Sequence, residues 1–283
     1  MAEPAAASDR AQATGRGFDA ELALAVNLAH RAGELQMARY ERVERIDFKS
    51  AKDVVTEVDH LSEALILEGI RERFPDDAFL GEETGGHDAK AGTTATSGIG
   101  RAWVIDPLDG TINYANGIPF FCVSIALVEA GRPVVGVIHD PTRGETFAAA
   151  AGTRAARLNG LEVQPSAKDR LSDFVISMAL SGRAVASRVR EVRRAVRVAR
   201  SMGSAALALV YVANGRFDAF VQQGGLSTWD IAAAGFIAET SGALVTDLSG
   251  GPWFDVGRSP RSIGLLAAPS RHHPELLRLV AGK

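Results

Sequence analysis

The alternation of apolar and polar positions divides the 283-residue chain into a readable series of elements. From Phe18 to about Tyr40, Leu22, Val26 and Ala29 recur at helical spacing. A second helix is expected from Asp59 to Phe74, with Leu61, Leu65 and Ile70 facing inward and Pro75 ending it. "DAFLGEE" reads as a short strand that breaks at Gly81, and the Gly-, Thr- and Ala-rich stretch 85–100 as a surface loop. "FFCVSIALVEAGRPVVGVIHDP" gives the clearest signal: two β-rich runs around Ala-Gly-Arg-Pro predict an antiparallel hairpin, and "GETFAAAAG" adds a third strand.

After Pro165 the pattern alternates. It predicts a strand at "FVISMAL", a helix over 184–199, a helix from Ser204 and a strand at "DAFVQ". A helix from Trp229 to Ser241, strands at "GALVTDL" and "SIGLLAAP", and a closing helix after Pro274 complete the series. The fold class is therefore mixed, α+β in its first part and α/β in its second. The reading divides the chain into a loose tail over 1–17, an N-terminal subdomain over 18–164 and a C-terminal subdomain over 165–283.

Composition narrows the picture. Hydrophobic residues make up 46% and charged residues 23%, as in a soluble globular protein. A net charge of -3 gives no general attraction to nucleic acid or an acidic membrane. No apolar run reaches the ~18 residues of a membrane helix, and the N-terminus lacks the apolar centre of a signal peptide. The one cysteine, Cys122, cannot form an internal disulfide and suits a cytoplasmic protein; within "FFCVSIALV" it reads as a small core residue. The segment 183–200 carries seven arginines and one acid, Glu191. Val185, Val189, Val192 and Val196 form its apolar stripe, so the arginines share the other face. That face is better explained by solvent, a phosphorylated ligand or a partner subunit than by nucleic acid, because no stacking aromatics interrupt it.

The candidate chemistry lies in acids at element ends: Asp53 and Asp59 in "DVVTEVD", Glu82 and Glu83 in "GEE", Asp106 and Asp109 in "DPLDGT", and Asp230 in "STWDIAAAG". Glu82 and Asp106 each close an apolar run, and Asp230 opens an apolar helix. Acids placed there cost several kcal/mol unless a cation compensates them. Oxygen donors without matching Cys or His favour a hard cation, Mg²⁺ before Mn²⁺. Asp106 and Asp109, separated by Pro107 and Leu108, can address neighbouring ions and leave the Leu108 carbonyl as a further donor. Gly110-Thr111 supplies free amides and a close approach for a phosphate. Metal and phosphate sites side by side point to phosphoryl chemistry. No Walker A motif marks a nucleotide. The D-x-D-G-T spacing of aspartyl-phosphate phosphatases is also absent, which favours a metal-activated water as nucleophile.

"WVIDPLDGTINY" and "STWDIAAAGFIAETSGALVTDLSGGP" resemble the two signature motifs of the inositol monophosphatase family. "DVVTEVD" and "FLGEE" are similar to its two upstream motifs, and the resemblance runs from about Phe18 to Leu279. It implies a layered α-β-α-β-α sandwich of the sugar phosphatase type. It implies a first Mg²⁺ on Glu82, Asp106 and the Leu108 carbonyl, a second on Asp106, Asp109 and Asp230, and a weaker third near Glu82. Thr111, backed by Asp59, would orient the attacking water, so that Thr111, Asp59 and Glu82 form the catalytic set. The Gly110 and Thr111 amides would hold the phosphate, with Asp109 and Asp230 also among the substrate-binding residues. Gly203, Ser204 and Ala205 would border the substrate alcohol, and Lys49 would lie on a loop at the site's entrance. Asn113-Tyr114 resembles the inositol-phosphatase branch. Gln223 stands where animal members place an acid that grips inositol hydroxyls.

The resemblance thus implies a Mg²⁺-dependent hydrolase of inositol 1-phosphate, with a homodimer as the usual assembly. Fructose 1,6-bisphosphate or another sugar or polyol phosphate is the alternative substrate. A regulatory protein of the transcription machinery is the alternative of a different class.

Overall fold

Small residues let the first two helices meet. In α1 (Asp19–Arg39) Ala25, Leu28, Ala29 and Ala32 are fully buried, and a side chain on Gly69 of α2 (Glu57–Arg73) would collide with Leu28. The structure, a computed structural model, describes residues 17–41, 46–50, 53–87, 100–153, 155–180 and 186–281, apart from the side chains of 46–55 and 86–87. Except for Gly17, the expected N-terminal tail lies outside these residues.

Helix α2 starts two residues earlier than its apolar pattern suggested, because Thr56 caps it and Asp59 reaches back to the Thr56 amide. Its inward face also differs from the expectation. Leu61 is 40% exposed, while Val58, Asp59, Ser62, Glu63, Ile66, Leu67 and Ile70 are buried. Ile70 is buried as expected and Leu65 half-buried, but two acids and a serine share the inner stripe, so Leu61 alone falls on the wrong side.

An antiparallel pair, β1 (Ile46–Ser50) and β2 (Asp53–Thr56), precedes α2. The first large sheet holds β3 (Ala78–Gly81), β4 (Gly85–His87), β5 (Arg101–Asp109), β6 (Cys122–Glu129), β7 (Arg132–Asp140), β8 (Glu145–Ala150), β9 (Arg157–Leu158) and β10 (Leu161–Glu162). Its order is β10-β9-β8-β7-β6-β5-β3-β4. The predicted hairpin is β6–β7, turning at Ala130-Gly131, where both residues have positive φ. Gly85–His87 pairs with β3 as β4, so the expected loop begins after a strand; 88–99 lie outside the described residues.

The second large sheet holds β11 (Val175–Ala179), β12 (Val198–Arg200), β13 (Ala219–Leu226), β14 (Ala243–Asp247) and β15 (Ile263–Pro269), in the order β12-β11-β13-β15-β14. The helix expected over 184–199 is α4 (Ala186–Ala195), and it ends early. Val196 turns into the core, and Val198 pairs with Val175 to make β12 an edge strand. The expected arginine stripe is thus split between a helix and a strand. Arg197 bonds Asp173 at 2.7 Å.

Helices α5 (Ala205–Val210) and α6 (Thr228–Ser241) fill the space between the sheets, with Leu207, Leu209, Ile231 and Ala233 among residues of both. Helices α1 and α2 cover the outer face of the eight-stranded sheet. Helices α4 and α7 (His273–Ala281) cover the outer face of the five-stranded one. The result is a five-layer α-β-α-β-α sandwich. Cys122 is buried within it, and burial pushes its thiol well above the usual range, as fits an inert core residue. Among the described residues no helix is long and apolar enough to cross a membrane.

The alanine face of α6 can lie this close to β7 because Gly136 has no side chain. A Cβ there would stand 2.8 Å from the Ala233 carbonyl oxygen and 3.2 Å from its Cα. Backbone cannot yield as a flexible side chain can. Gly136→Ala should therefore lower the unfolding free energy by about 1–3 kcal/mol in urea titrations. An unchanged midpoint would show that α6 is free to shift.

Candidate metal centre

Two chain segments bring three acids to the same place. The β5 strand continues past Ile105 with Asp106, Pro107, Leu108 and Asp109, and a register shift between Asp106 and Asp109 breaks its pairing with β6. The irregularity allows both acids to leave the sheet on one side. Asp230 comes from the first turn of α6. One ligand atom from each of Asp106, Asp109 and Asp230 lies within 4.8 Å of the other two.

Each carboxylate is fixed by backbone amides or a hydroxyl. The Leu108 amide donates to Asp106 Oδ1 at 3.1 Å. Asp109 Oδ2 accepts from the Ala206 amide at 2.7 Å and from the Ser204 hydroxyl. Ser204, the N-cap of α5, also accepts from the Leu207 amide at 3.3 Å, so its one proton is directed to Asp109. Asp230 Oδ2 accepts from the Ser227 amide at 2.7 Å. Asp230 is the third residue of α6 and bonds back to its cap, as Asp59 does in α2.

The acids repel one another. Burial, followed by the charges of Glu82, Asp109, Asp230 and Asp59, pushes the Asp106 carboxyl well above the usual carboxylate range. Burial does the same to Asp230, with Asp109 and Glu82 adding to it and the Ser227 amide opposing. Burial also raises Asp109, against the hydrogen bonds from Ser204 and Ala206. Buried oxygen donors that are destabilised as anions and share one space are the donor set a hard divalent cation requires.

Beside the acids, Gly110 has φ +100° and begins the single turn α3 (Thr111–Ala115). A Cβ on Gly110 would meet the Phe120 carbonyl and Ser204 Cβ, each at 3.1 Å. The Thr111 hydroxyl lies 3.0 Å from both Asp59 Oδ1 and the Leu108 carbonyl. Asp59 is 1% exposed, and its other oxygen accepts from the Thr56 amide at 2.8 Å and the Thr56 hydroxyl at 2.6 Å. Below α3, Tyr114 packs edge-on against Phe121 in a small core with Val58 and Leu108.

The structure therefore gathers Asp59, Asp106, Leu108, Asp109, Gly110, Thr111, Ser204 and Asp230, whereas Glu82 stands outside the cluster of three acids, though its charge acts on Asp106 and Asp230. Ser204 is committed to Asp109. Gly203, at φ +85°, has no room for a Cβ, which would stand 2.7 Å from Asn113 Oδ1. Asn113 ties this segment to α3, donating to the Phe120 and Met202 carbonyls at 2.7 and 2.8 Å. Ala205 is the first residue of α5. Gln223 is placed differently: it lines a cavity of about 460 Å³ with Leu180, Arg188, Leu248, Leu277 and Arg278. None of the three clustered acids borders that cavity. Lys49 lies on β1 and Asp53 on β2, and the side chains of both fall outside the described residues.

Two supporting residues escaped the sequence reading. Gln36 of α1, fully buried, donates its side-chain amide to the Pro107 carbonyl at 2.7 Å, and its backbone carbonyl accepts from the Tyr114 hydroxyl at 2.8 Å. Glu63 of α2, also buried, accepts from the amides of Glu83 and Thr84. Both are polar residues within a buried helical stripe, which is the signal that marks them.

Residues 19–282 match the inositol monophosphatase family. The Nus factor SuhB of Haemophilus influenzae is 36% identical over 268 residues, covering 92% of this chain and 95% of the relative. The fructose-1,6-bisphosphatase/inositol-1-monophosphatase of Thermotoga maritima is 36% identical over 230 residues, covering 81% and 85%. The solved structure of a Thermotoga maritima IMPase superimposes with a TM-score of 0.81 at 32% identity, covering 93% of this chain and 97% of that one. With a match over nearly its whole described length and the same fold beneath it, the chain belongs to the inositol monophosphatase family.

Proposed function

We propose that this protein is a Mg²⁺-dependent phosphatase that hydrolyses inositol 1-phosphate or a closely similar sugar or polyol phosphate. The observation that carries the reading is the convergence of Asp106, Asp109 and Asp230 within 4.8 Å. Family membership and the phosphatase name of the Thermotoga relative support it. In this reading Glu82, Asp106, the Leu108 carbonyl, Asp109 and Asp230 hold two Mg²⁺ ions, with a third near Glu82 and Mn²⁺ able to substitute. Bound Mg²⁺ supplies charge neutralisation for the phosphate and a more acidic water.

The chain's own residues do the positioning. Asp59 is held by Thr56 and is a stronger acceptor than the Leu108 carbonyl, so it claims the Thr111 proton. The Thr111 oxygen is then left as an acceptor that orients a water for attack. Free amides at Gly110 and Thr111 receive the phosphate, and Gly203, Ser204 and Ala205 stand at the alcohol side. The printed name of the Thermotoga relative makes fructose 1,6-bisphosphate the alternative substrate. The name Nus factor, carried by the Haemophilus relative, favours a second reading, a role with the transcription machinery.

Phosphate release across a panel of monoesters tests the proposal. Inositol 1-phosphate should be hydrolysed with Mg²⁺, chelator should abolish turnover, and Ca²⁺ should support it poorly because its larger, looser shell misplaces the water. Full activity in chelator would overturn the metal reading. Mg²⁺ binding without hydrolysis of any monoester would favour the second reading.

Asp106→Asn should cost more turnover than Asp59→Asn, because Asp106 serves two ions and Asp59 acts through Thr111. For Asp59→Asn the expected loss is about 10²-fold, in the range of a misdirected proton acceptor. In chelator Asp106→Asn should melt no lower than the parent, since it removes one charge from a repelling set. Near-normal turnover in Asp106→Asn would show that the site is assigned wrongly.

A further inference from the structure

Glu82 sits on a turn between two strands, where a carboxylate would ordinarily sweep a wide arc. Its own amide donates to the Ile105 carbonyl at 3.2 Å and continues the pairing of β3 with β5. The next two amides are held from the other side. Glu83 N–H donates to Glu63 Oε2 at 3.0 Å, and Thr84 N–H donates to Glu63 Oε1 at 2.9 Å. Both oxygens of one buried carboxylate thus clamp successive peptides, and Glu63 is 1% exposed. The clamp needs Gly81. A Cβ at that position would lie 2.6 Å from Glu63 Oε2 and 2.8 Å from its Cδ. After burial, the charge of Glu82 does most to raise the Asp106 carboxyl, so the direction Glu82 takes matters to the cluster.

From this geometry we propose that Glu63 is a positioning residue for the metal centre, fixing the 81–84 turn so that Glu82 faces Asp106 and Asp230. Asp59 and Glu63 lie one helical turn apart on the buried face of α2. One helix therefore sets two parts of the site: Asp59 directs Thr111, and Glu63 aims Glu82. The inference rests on the metal reading above. Replacing Glu63 by glutamine keeps the shape but leaves one acceptor oxygen, and the new NH₂ group opposes one of the two amides. The turn then loses one of its two anchors, and Glu82 should spend less time in a ligating direction.

The test is a Mg²⁺ titration of the whole protein, following both the melting temperature and phosphate release. Metal-free parent protein should gain thermal stability as Mg²⁺ is added. In Glu63→Gln the half-saturating Mg²⁺ concentration should rise about 10–100-fold by both readouts, the scale seen when a ligand's support is removed. Its kcat at saturating Mg²⁺ should return close to the parent value. Glu63→Asp, which keeps two acceptors but retracts them, should show a smaller rise, and it carries the test if the glutamine variant does not fold. A lower metal-free melting temperature with an unchanged Mg²⁺ half-saturation would overturn the proposal, because Glu63 would then only support the fold. A parent protein whose stability ignores Mg²⁺ would overturn the metal reading itself.

Discussion

Bringing Asp106, Asp109 and Asp230 within 4.8 Å of one another, with two of them buried, is the constraint to which the surrounding architecture answers. Like charges in low dielectric repel, and each buried carboxylate loses several kcal/mol of hydration. Without compensation such a cluster would loosen or take up protons. Amides at Leu108, Ala206 and Ser227, with the Ser204 hydroxyl, fix one oxygen on each acid. They hold the geometry. They do not cancel the net charge, and a divalent cation is the partner that would.

The layers follow from that requirement. Asp106 and Asp109 leave the end of a central strand, Asp109 is received by the start of α5, and Asp230 opens α6. Both helices are pressed between the sheets by small residues, with Ala233 of α6 against the sheet where Gly136 leaves room. On the other side of the eight-stranded sheet, α1 and α2 bring Gln36 to Pro107, Asp59 to Thr111 and Glu63 to the turn after Glu82. Elements from both ends of the chain therefore brace a loop that lies between them. The site is positioned by packed helices and strands, which hold side chains more narrowly than loops can.

Much of this was legible in the sequence. Acids that interrupt apolar runs, at Asp106 and Asp230, stand out because burial of a charge needs a reason. Gly110 beside them reads as room for a phosphate, and its φ of +100° adds a left-handed conformation that glycine favours. The β6–β7 hairpin was visible from its alternation and its turn. Other features were hidden for physical reasons. Leu61 looked like a core residue because the true inner face of α2 carries Asp59, Ser62 and Glu63, and the bonds of Asp59 to Thr111 and of Glu63 to the 83–84 amides come from partners distant in sequence. Val196 and Val198 fit a helix or a strand equally well, and pairing with Val175 decides it. Gln223 lies within β13 just before Gly224 and Gly225, whose positive φ breaks the regular strand, so simple alternation does not tell which cavity it borders. Gln36 and Glu63 make their bonds across 71 and 20 residues, and local pattern carries no record of those partners.

The central claim is that the acidic cluster is a divalent-metal centre. Anomalous diffraction from crystals soaked in Mn²⁺ tests it most directly, since the ion reports its own position. The account predicts anomalous peaks between Asp106, Asp109 and Asp230 and between Asp106 and Glu82. Crystals that diffract well yet show no peak there at millimolar Mn²⁺, or show Mn²⁺ bound elsewhere on the chain, would contradict it.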